Sequence, residues 1–147
     1  MIVADLMTQN PITISQDATL REALKTMEQV GCHHLPVMNQ HGHLTGVITE
    51  HDCRLALNVP SIRHVHSQAN RMLDLVVVSA VMTFTPQLID RDMPADEAVN
   101  RMLDKQIGCL PVMKGKDLVG IVTTTDILRA FSQLVKQMLL DEPARLA

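Results

Sequence analysis

The spacing of apolar residues predicts a short cycle of strands and helices in the first part of the chain. Ile12 to Ile14 predict a strand, and apolar residues from Leu20 to Met27 recur every three or four positions, as on one face of a helix. His34 to Met38 and Leu44 to Thr49 predict two more strands, separated by a turn. A second helix is expected to begin near Thr49, so the cycle is strand–helix–strand–strand–helix.

The same cycle recurs in the second part of the chain. Met7-Thr8 returns 75 positions later as Met82-Thr83, and Leu35-Pro36-Val37-Met38 returns with the same offset as Leu110-Pro111-Val112-Met113. One residue is then lost from a turn, and the offset becomes 74: Gly46, Thr49 and Asp52 return as Gly120, Thr123 and Asp126. One copy of about 55 residues is too small to cover its own sheet, so the two copies are expected to pack together.

Two further helical patterns lie outside the repeated cycles. Between the copies, from Pro60 to Val78, a linker helix capped by Ser61 is predicted by Ile62, Val65, Ala69, Met72, Leu73 and Val76. Near the C-terminus a helical stripe is formed by Ile127, Phe131, Leu134, Val135 and Met138. The stripe is too apolar to face water, so we expect it to pack within its own chain or against a second copy in a dimer.

Composition narrows the functional classes. Hydrophobic residues make up 46% and charged residues 20% of the 147 residues, as in an ordinary folded domain. There is no Trp or Tyr, there are two Phe, and the net charge is -3. The chain therefore lacks both the aromatic rings and the basic field that hold nucleic acids. Without a signal peptide or a long apolar segment, the protein is expected to be cytoplasmic and away from membranes.

The two cycles resemble a tandem pair of cystathionine β-synthase (CBS) domains. The resemblance rests on Met-Thr-x-x-Pro, the Leu-Pro-Val strand and Gly-x-x-Thr-x-x-Asp, which occur in this order in both copies. It implies an α/β (α+β) fold of two β-α-β-β-α repeats, packed with pseudo-two-fold symmetry around two clefts. By this resemblance, residues 1–58 form repeat 1, 59–75 a linker, 76–135 repeat 2, and 136–147 the end of the C-terminal helix and the tail.

The resemblance also implies a function. CBS pairs commonly bind adenine nucleotides or adenosyl ligands in their clefts, form disc-shaped dimers and regulate an attached or partner protein. The chain is therefore expected to be a stand-alone regulatory module, not an enzyme, that senses AMP, ADP, ATP or an adenosyl ligand without a catalytic cofactor. It is expected to form a homodimer and to signal to a regulated protein that the sequence does not identify. The alternative is a structural dimerisation module with no nucleotide ligand.

The Gly-x-x-Thr-x-x-Asp motif carries the main candidate site residues, Thr49 and Asp52 in the first copy and Thr123 and Asp126 in the second. A Thr-x-x-Asp sequence before an apolar run is also typical of a helix capping box, which is a purely structural role. A carboxylate at this position equally accepts hydrogen bonds from the two hydroxyls of a ribose, and free amides at a helix start suit a phosphate. Both interpretations stay open, and for the threonines they are compatible.

Weaker candidates for contact with a base or a phosphate flank this motif. Apolar residues of the motif strands offer a surface to a flat base, and the family pattern places ligand contacts just before the Leu-Pro strand. Neighbouring strand residues point to opposite faces, so only one of His33 and His34 is expected to face the ligand, with His33 preferred. The weaker set is His33, His34, Cys109, Val47, Ile48, Ile121, Val122, Ile12 and Thr13. Arg54 and Arg129, early in the second helices, either add charge to the site or form solvated helix faces.

Metal and catalytic patterns are weak. All seven histidines lie in the first half of the chain, and His41-x-His43 and His64-x-His66 have Cys32 and Cys53 as possible companions. This spacing matches no established zinc pattern, so no metal site is predicted. No Gly-x-Ser-x-Gly sequence or P-loop is present, so no catalytic residue is predicted either. The cysteines are expected to be small core residues.

Overall fold

The computed structural model describes residues 1–62, 66–84 and 86–142. The chain divides into two compact units, one containing Pro11–Gln87 and the other containing Met1–Asn10 together with the chain from Leu88. Each unit holds one four-stranded sheet. The described part of the chain thus has a mixed α+β fold with two sheets and six helices.

The elements follow the order that the repeated cycle predicts. Up to the end of the first cycle they are α1 (Val3–Leu6), β1 (Thr8–Gln9), β2 (Ile14–Ser15), α2 (Leu20–Val30), β3 (His34–Met38), β4 (Leu44–Thr49) and α3 (Glu50–Leu57). The segment after the first cycle contains α4 (Ser67–Leu75) and a 3-10 helix at Val78–Ala80. The remaining elements are β5 (Thr83–Phe84), β6 (Ile89–Asp90), α5 (Ala95–Lys105), β7 (Cys109–Lys114), β8 (Asp117–Thr123) and α6 (Thr124–Asp141).

The two sheets have the same topology. One has the strand order β2-β3-β4-β5, and the other has the order β6-β7-β8-β1. In each sheet the first pair is parallel and the following pairs are antiparallel. The parallel pair is joined through α2 or α5, as a parallel connection requires.

A short strand is exchanged between the two sequence repeats. β1, which precedes the first cycle, pairs with β8 of the second, where Thr8 lies opposite Ile121. β5, which precedes the second cycle, pairs with β4 of the first, where Thr83 lies opposite Val47. Each Met-Thr segment therefore completes the sheet of the other repeat.

Close contact with the exchanged strand explains the glycine of each motif. A Cβ atom on Gly46 would lie 2.6 Å from the carbonyl oxygen of Thr83 and 2.7 Å from Sδ of Met82. A Cβ atom on Gly120 would lie 2.9 Å from Cγ of Met7. These distances are too short for non-bonded atoms, so the absence of a side chain is needed where the backbones approach. The methionine of each Met-Thr segment thus packs on the motif glycine of the other repeat, Met82 on Gly46 and Met7 on Gly120.

The central strands of each sheet carry its core. Leu35 lies opposite Ile48 in one sheet, and Leu110 lies opposite Val122 in the other. All four side chains are fully buried, in two separate apolar clusters. The four strands predicted from these apolar runs, two in each repeat, are therefore confirmed.

Capping residues mark the ends of α2. Oγ1 of Thr19 accepts a hydrogen bond from the Glu22 amide at 3.2 Å, and Oε2 of Glu22 accepts one from the Thr19 amide at 3.0 Å. This reciprocal pair satisfies two amides at the helix start. Gly31 ends the helix with a φ of 75°, a left-handed conformation that favours glycine.

The first predicted strand begins later than the sequence indicated. Ile12 and Thr13 are exposed and precede β2, and Ile14 is the residue that enters the core. The prediction of a strand from Ile12 is therefore wrong at its start. Pro11 lacks an amide to donate, which agrees with the irregular backbone between it and Ile14.

The linker helix begins at a different cap from the one predicted. Nδ1 of His66 accepts a hydrogen bond from the Ala69 amide at 3.1 Å, so α4 is capped by His66 and not by Ser61. Ala69 and Leu73 on its inner face are buried in the same cluster as the first sheet. Val65 and the tail at 143–147 lie outside the described residues.

The apolar stripe of α6 differs from the prediction at its first residue. Ile127 packs against the core of its own unit, so it does not belong to the exposed face. Leu128 takes its place at 63% exposure, followed by Phe131 at 64% and Met138 at 63%. Much of the rest of the predicted stripe is thus exposed in the single chain.

Candidate functional site

The threonine and aspartate of both motifs lie at helix starts. Thr49 precedes α3, where its Oγ1 accepts from the Asp52 amide at 3.0 Å and its own amide donates to Oδ2 of Asp52 at 3.1 Å. Thr123 precedes α6, with the corresponding distances 3.3 Å and 2.9 Å to Asp126. The capping interpretation is therefore realised in both copies, which leaves a ligand role to the remaining oxygen atoms.

Asp126 is held from several directions. Its Oδ2 accepts a further hydrogen bond from Oγ1 of Thr123 at 3.0 Å. Its Oδ1 accepts one from Oγ1 of Thr8 at 3.0 Å, and Nη1 of Arg129 lies 3.6 Å from the same oxygen. Only 6% of the Asp126 side chain is exposed. Both carboxylate oxygens thus have protein partners.

Asp52 has far fewer partners. Within the described residues its Oδ2 accepts only the Thr49 amide, and its Oδ1 has no hydrogen-bond partner. The side chain is only partly buried. Leu55 occupies the position equivalent to Arg129 and is exposed, so no cation is supplied from that position. The Asp52 carboxylate therefore retains acceptor capacity that Asp126 has used.

Residues opposite the motif threonines distinguish the two copies further. His34 pairs with Thr49 across β3 and β4, and Cys109 pairs with Thr123 across β7 and β8. Burial lowers the pKa of the His34 imidazole below its ordinary value, the neighbouring His33 lowers it further, and Asp52 opposes this shift. His34 is thus a neutral hydrogen-bonding group near Asp52 at neutral pH, whereas the second copy has a buried cysteine there.

His33 lies beside a carboxylate. Its Nδ1 is 2.8 Å from Oε2 of Glu50, and three quarters of the imidazole is exposed. The pair lines a groove beside α2 together with Lys25 and Glu28. Glu50 already pairs with Nδ1 of His33, and the groove carries the cations Arg21 and Lys25 as well as the two glutamates, so contact between His33 and a phosphate stays a prediction.

The apolar candidates separate into two faces. Ile48 and Val122 are fully buried in the sheet cores, where they have no surface to offer a base. Val47 and Ile121 point to the opposite faces of β4 and β8 and keep 5% and 6% of their surface exposed.

The arginines proposed to add charge have other partners. Arg54 donates from Nη2 to Nδ1 of His51 at 3.0 Å and from Nη1 to the carbonyl oxygen of Pro60 at 3.5 Å. Arg129 pairs with Asp126 itself. Arg129 thus neutralises the motif carboxylate of the second copy, and Arg54 is engaged away from that of the first.

Metal binding finds no support in the described part of the chain. Nowhere in residues 1–62, 66–84 and 86–142 are three His, Cys, Asp or Glu side chains arranged so that they could hold a metal ion. The rings of His41 and His43 lie 6.4 Å apart, and His64 is outside the described residues. Burial, with Asp52 and Glu50 adding to it, raises the pKa of the Cys53 thiol to about 12, so this cysteine stays protonated.

Thr8 is the functional candidate that sequence reasoning missed. Its hydroxyl reaches Asp126 across 118 positions of the chain. The one signal for it was the repeated Met-Thr dipeptide, whose threonines sit in equivalent registers on β1 and β5. The strand exchange that brings it to Asp126 is not visible in local sequence.

Both repeats match a known protein family. The family model of the CBS domain matches residues 3–59 and 78–133. The chain belongs to the CBS domain family. A CBS domain-containing protein of Dictyostelium discoideum is 36% identical over 129 residues, covering 87% of this chain and 89% of that protein.

Solved CBS domain structures share the fold. The CBS domain pair of protein MJ0100 in complex with 5′-methylthioadenosine and S-adenosyl-L-methionine superposes with a TM-score of 0.76 at 28% identity. The match covers 90% of this chain and 97% of that chain. CBSX2 in complex with AMP superposes with a TM-score of 0.72 at 25% identity, again covering 90% of this chain and 97% of the other.

Some relatives contain the CBS pair as one part of a longer protein. This chain is 30% identical over 131 residues to L-aspartate semialdehyde sulfurtransferase of Methanocaldococcus jannaschii, and the match spans 23% of that enzyme. The CBS pair is a regulatory family rather than a catalytic one. Within the described residues, no helix combines the length and apolar character needed to cross a membrane.

Proposed function

We propose that this CBS pair is a ligand-sensing module that binds an adenosyl ligand through a carboxylate of its repeated motif. The observation that carries the proposal is the Asp52 carboxylate, which is fixed at the start of α3 by one oxygen while the other has no partner among the described residues. Such a carboxylate is ready to accept hydrogen bonds from a ribose diol.

Two observations support an adenosyl ligand as the class. A CBS pair with the same fold is bound to 5′-methylthioadenosine and S-adenosyl-L-methionine, and another is bound to AMP. In this chain the neutral imidazole of His34, which lies opposite Thr49, adds a polar group near Asp52.

A thermal-shift screen tests this function. We expect one or more of AMP, ADP, ATP, S-adenosylmethionine, 5′-methylthioadenosine and NAD to stabilise the protein. A ligand at 100 times its dissociation constant adds about 2.7 kcal/mol, which raises the melting temperature by about 5–10 °C in a chain of this size. GMP tests whether the adenine base is required, and free adenine tests whether the ribose is required. A panel with no shift for any adenosyl compound would contradict the proposal.

We further propose that the protein forms a homodimer through α6. Leu128, Phe131, Val135 and Met138 are exposed and recur at intervals of three, four and three residues. This spacing is that of a seam between two helices, and the seam is complementary to a copy of itself. Dimerisation gives a ligand signal a surface through which to reach a regulated protein.

The seam also favours the second candidate function, a structural dimerisation module without a ligand. Light scattering should give twice the 16.3 kDa of one chain for the wild type. Phe131→Glu places a charge in the seam and should give the monomer mass, whereas Gln133→Glu, on the other side of α6, should remain dimeric. A monomeric wild type excludes the dimer. A dimer that no compound in the thermal-shift screen stabilises supports the structural function.

A further inference from the structure

We propose that each chain binds one ligand, at Asp52, and that Thr8 closes the equivalent position at Asp126. This inference rests on the proposed function and specifies which of the two motifs serves it. Both motifs have the same Gly-x-x-Thr-x-x-Asp sequence, so the difference comes from the side chains around them.

Most of the acceptor capacity of Asp126 is already used, with both sites of Oδ2 and one site of Oδ1 occupied. Three hydrogen bonds end on its two oxygens, one from Oγ1 of Thr8 and two from Thr123, and the Arg129 guanidinium lies 3.6 Å from Oδ1. The side chain is 6% exposed. A ribose diol needs two acceptor positions that it can reach, so it has to displace the Thr8 hydroxyl from Oδ1 before it binds.

The first motif lacks this closure although it has the equivalent threonine. Thr83 on β5 lies opposite Val47, as Thr8 on β1 lies opposite Ile121. Among the described residues, no hydrogen bond joins Thr83 to Asp52. The counterpart of Arg129 in this repeat is Leu55, so position 55 brings no guanidinium to Asp52.

The two copies therefore differ in the hydrogen bonds that a ligand would break. At Asp52 the ribose finds an oxygen with no hydrogen-bond donor among the described residues. At Asp126 it exchanges one hydrogen bond for another and gains little. The Thr8 hydroxyl is a specificity-determining group, because it decides how many of the two identical motifs accept ligand.

Calorimetric titration of the full chain tests this assignment, with AMP and 5′-methylthioadenosine as the two probes. We expect one probe molecule per chain for the wild type. Asp52→Asn should weaken this binding at least tenfold, because a charged acceptor of the ribose is lost, whereas Asp126→Asn should leave it within twofold. Melting curves of each variant establish that it is folded.

Thr8→Val is the decisive variant, because it removes the hydroxyl and keeps the side-chain shape. We expect it to expose Oδ1 of Asp126 and to add a second binding event per chain. Thr83→Val is the matched control and should keep one site. Two sites in the wild type, loss of binding in Asp126→Asn but not in Asp52→Asn, or one site in Thr8→Val would overturn the inference. If neither probe binds the wild type, the proposed function fails as well, which separates the two failures.

Discussion

The first repeat holds its motif aspartate by one short-range cap, whereas the second repeat ties the equivalent aspartate to a strand from the other end of the sequence. Asp52 accepts only the Thr49 amide among the described residues. Asp126 accepts from Thr123 and from Thr8, and it lies near Arg129. The same local motif thus has an open carboxylate in one repeat and a closed one in the other.

This contrast shows that the repeated motif determines the backbone conformation, whereas neighbouring side chains determine the hydrogen bonds of its aspartate. The registers of β3–β4 and β7–β8 are equivalent, and both helices begin with a Thr-x-x-Asp capping box. The differences arise at positions where the repeats diverged, such as His34 against Cys109 and Leu55 against Arg129. The two motif carboxylates therefore differ in how many protein partners they have.

Replacing either motif aspartate by alanine tests the contrast most strongly, because the two variants are expected to differ most in the free energy of unfolding. Asp126→Ala should lower the free energy of unfolding by about 3 kcal/mol, because three hydrogen bonds to a buried carboxylate are lost. Asp52→Ala loses only part of a cap and should cost about 1 kcal/mol. Urea unfolding of both variants measures the difference. Equal losses would mean that the two aspartates are held alike.

Substituting the two motif glycines probes the strand exchange. Gly46→Ala forces a Cβ against the carbonyl oxygen of Thr83 and should cost toward the upper end of about 1–3 kcal/mol. Gly120→Ala meets mainly the flexible side chain of Met7 and should cost less. Thermal unfolding of the pair gives the comparison. A Gly46→Ala protein as stable as the wild type would contradict the close packing of β5 on β4.

The pH dependence of stability gives the smallest effect and is specific to the first repeat. Because burial lowers the pKa of His34 in the folded state, the unfolded chain binds its proton more readily. This contribution to stability is fully present above the ordinary histidine value of 6.5 and is lost as pH falls from there through the folded pKa. The charged groups acting on the imidazole are His33 and Asp52.

His34→Gln should therefore flatten the loss of stability between pH 7 and pH 5. His41→Gln, in an exposed turn, is the matched control and should keep the wild-type slope. Denaturant unfolding at a series of pH values measures both. An unchanged slope in His34→Gln would show that this imidazole is solvated in the folded protein.

Local sequence predicted the parts of the fold that local interactions determine. The four central strands, the helices after them and the capping role of Thr49 and Thr123 all follow from patterns within a few residues. The strand exchange does not follow from local patterns, because β1 and β5 are only two residues long and pair with strands that are distant in sequence.

The same limit applies to the candidate site. The motif aspartates were identified, but their different partners were not, because Thr8 lies 118 positions from Asp126. The contact of His33 with Glu50 was missed for a related reason. The two residues are brought together where β3 begins and β4 passes into α3, and no sequence spacing marks that meeting.

Hydrogen exchange with and without saturating 5′-methylthioadenosine or AMP tests the central claim most directly, because it reports where the ligand binds. We expect slower exchange in the peptide that covers Thr49 and the start of α3. The peptide that covers Thr123 and the start of α6 should change less. Protection at the second motif with none at the first, or no protection at either motif under saturating ligand, would contradict the assignment of the ligand to Asp52.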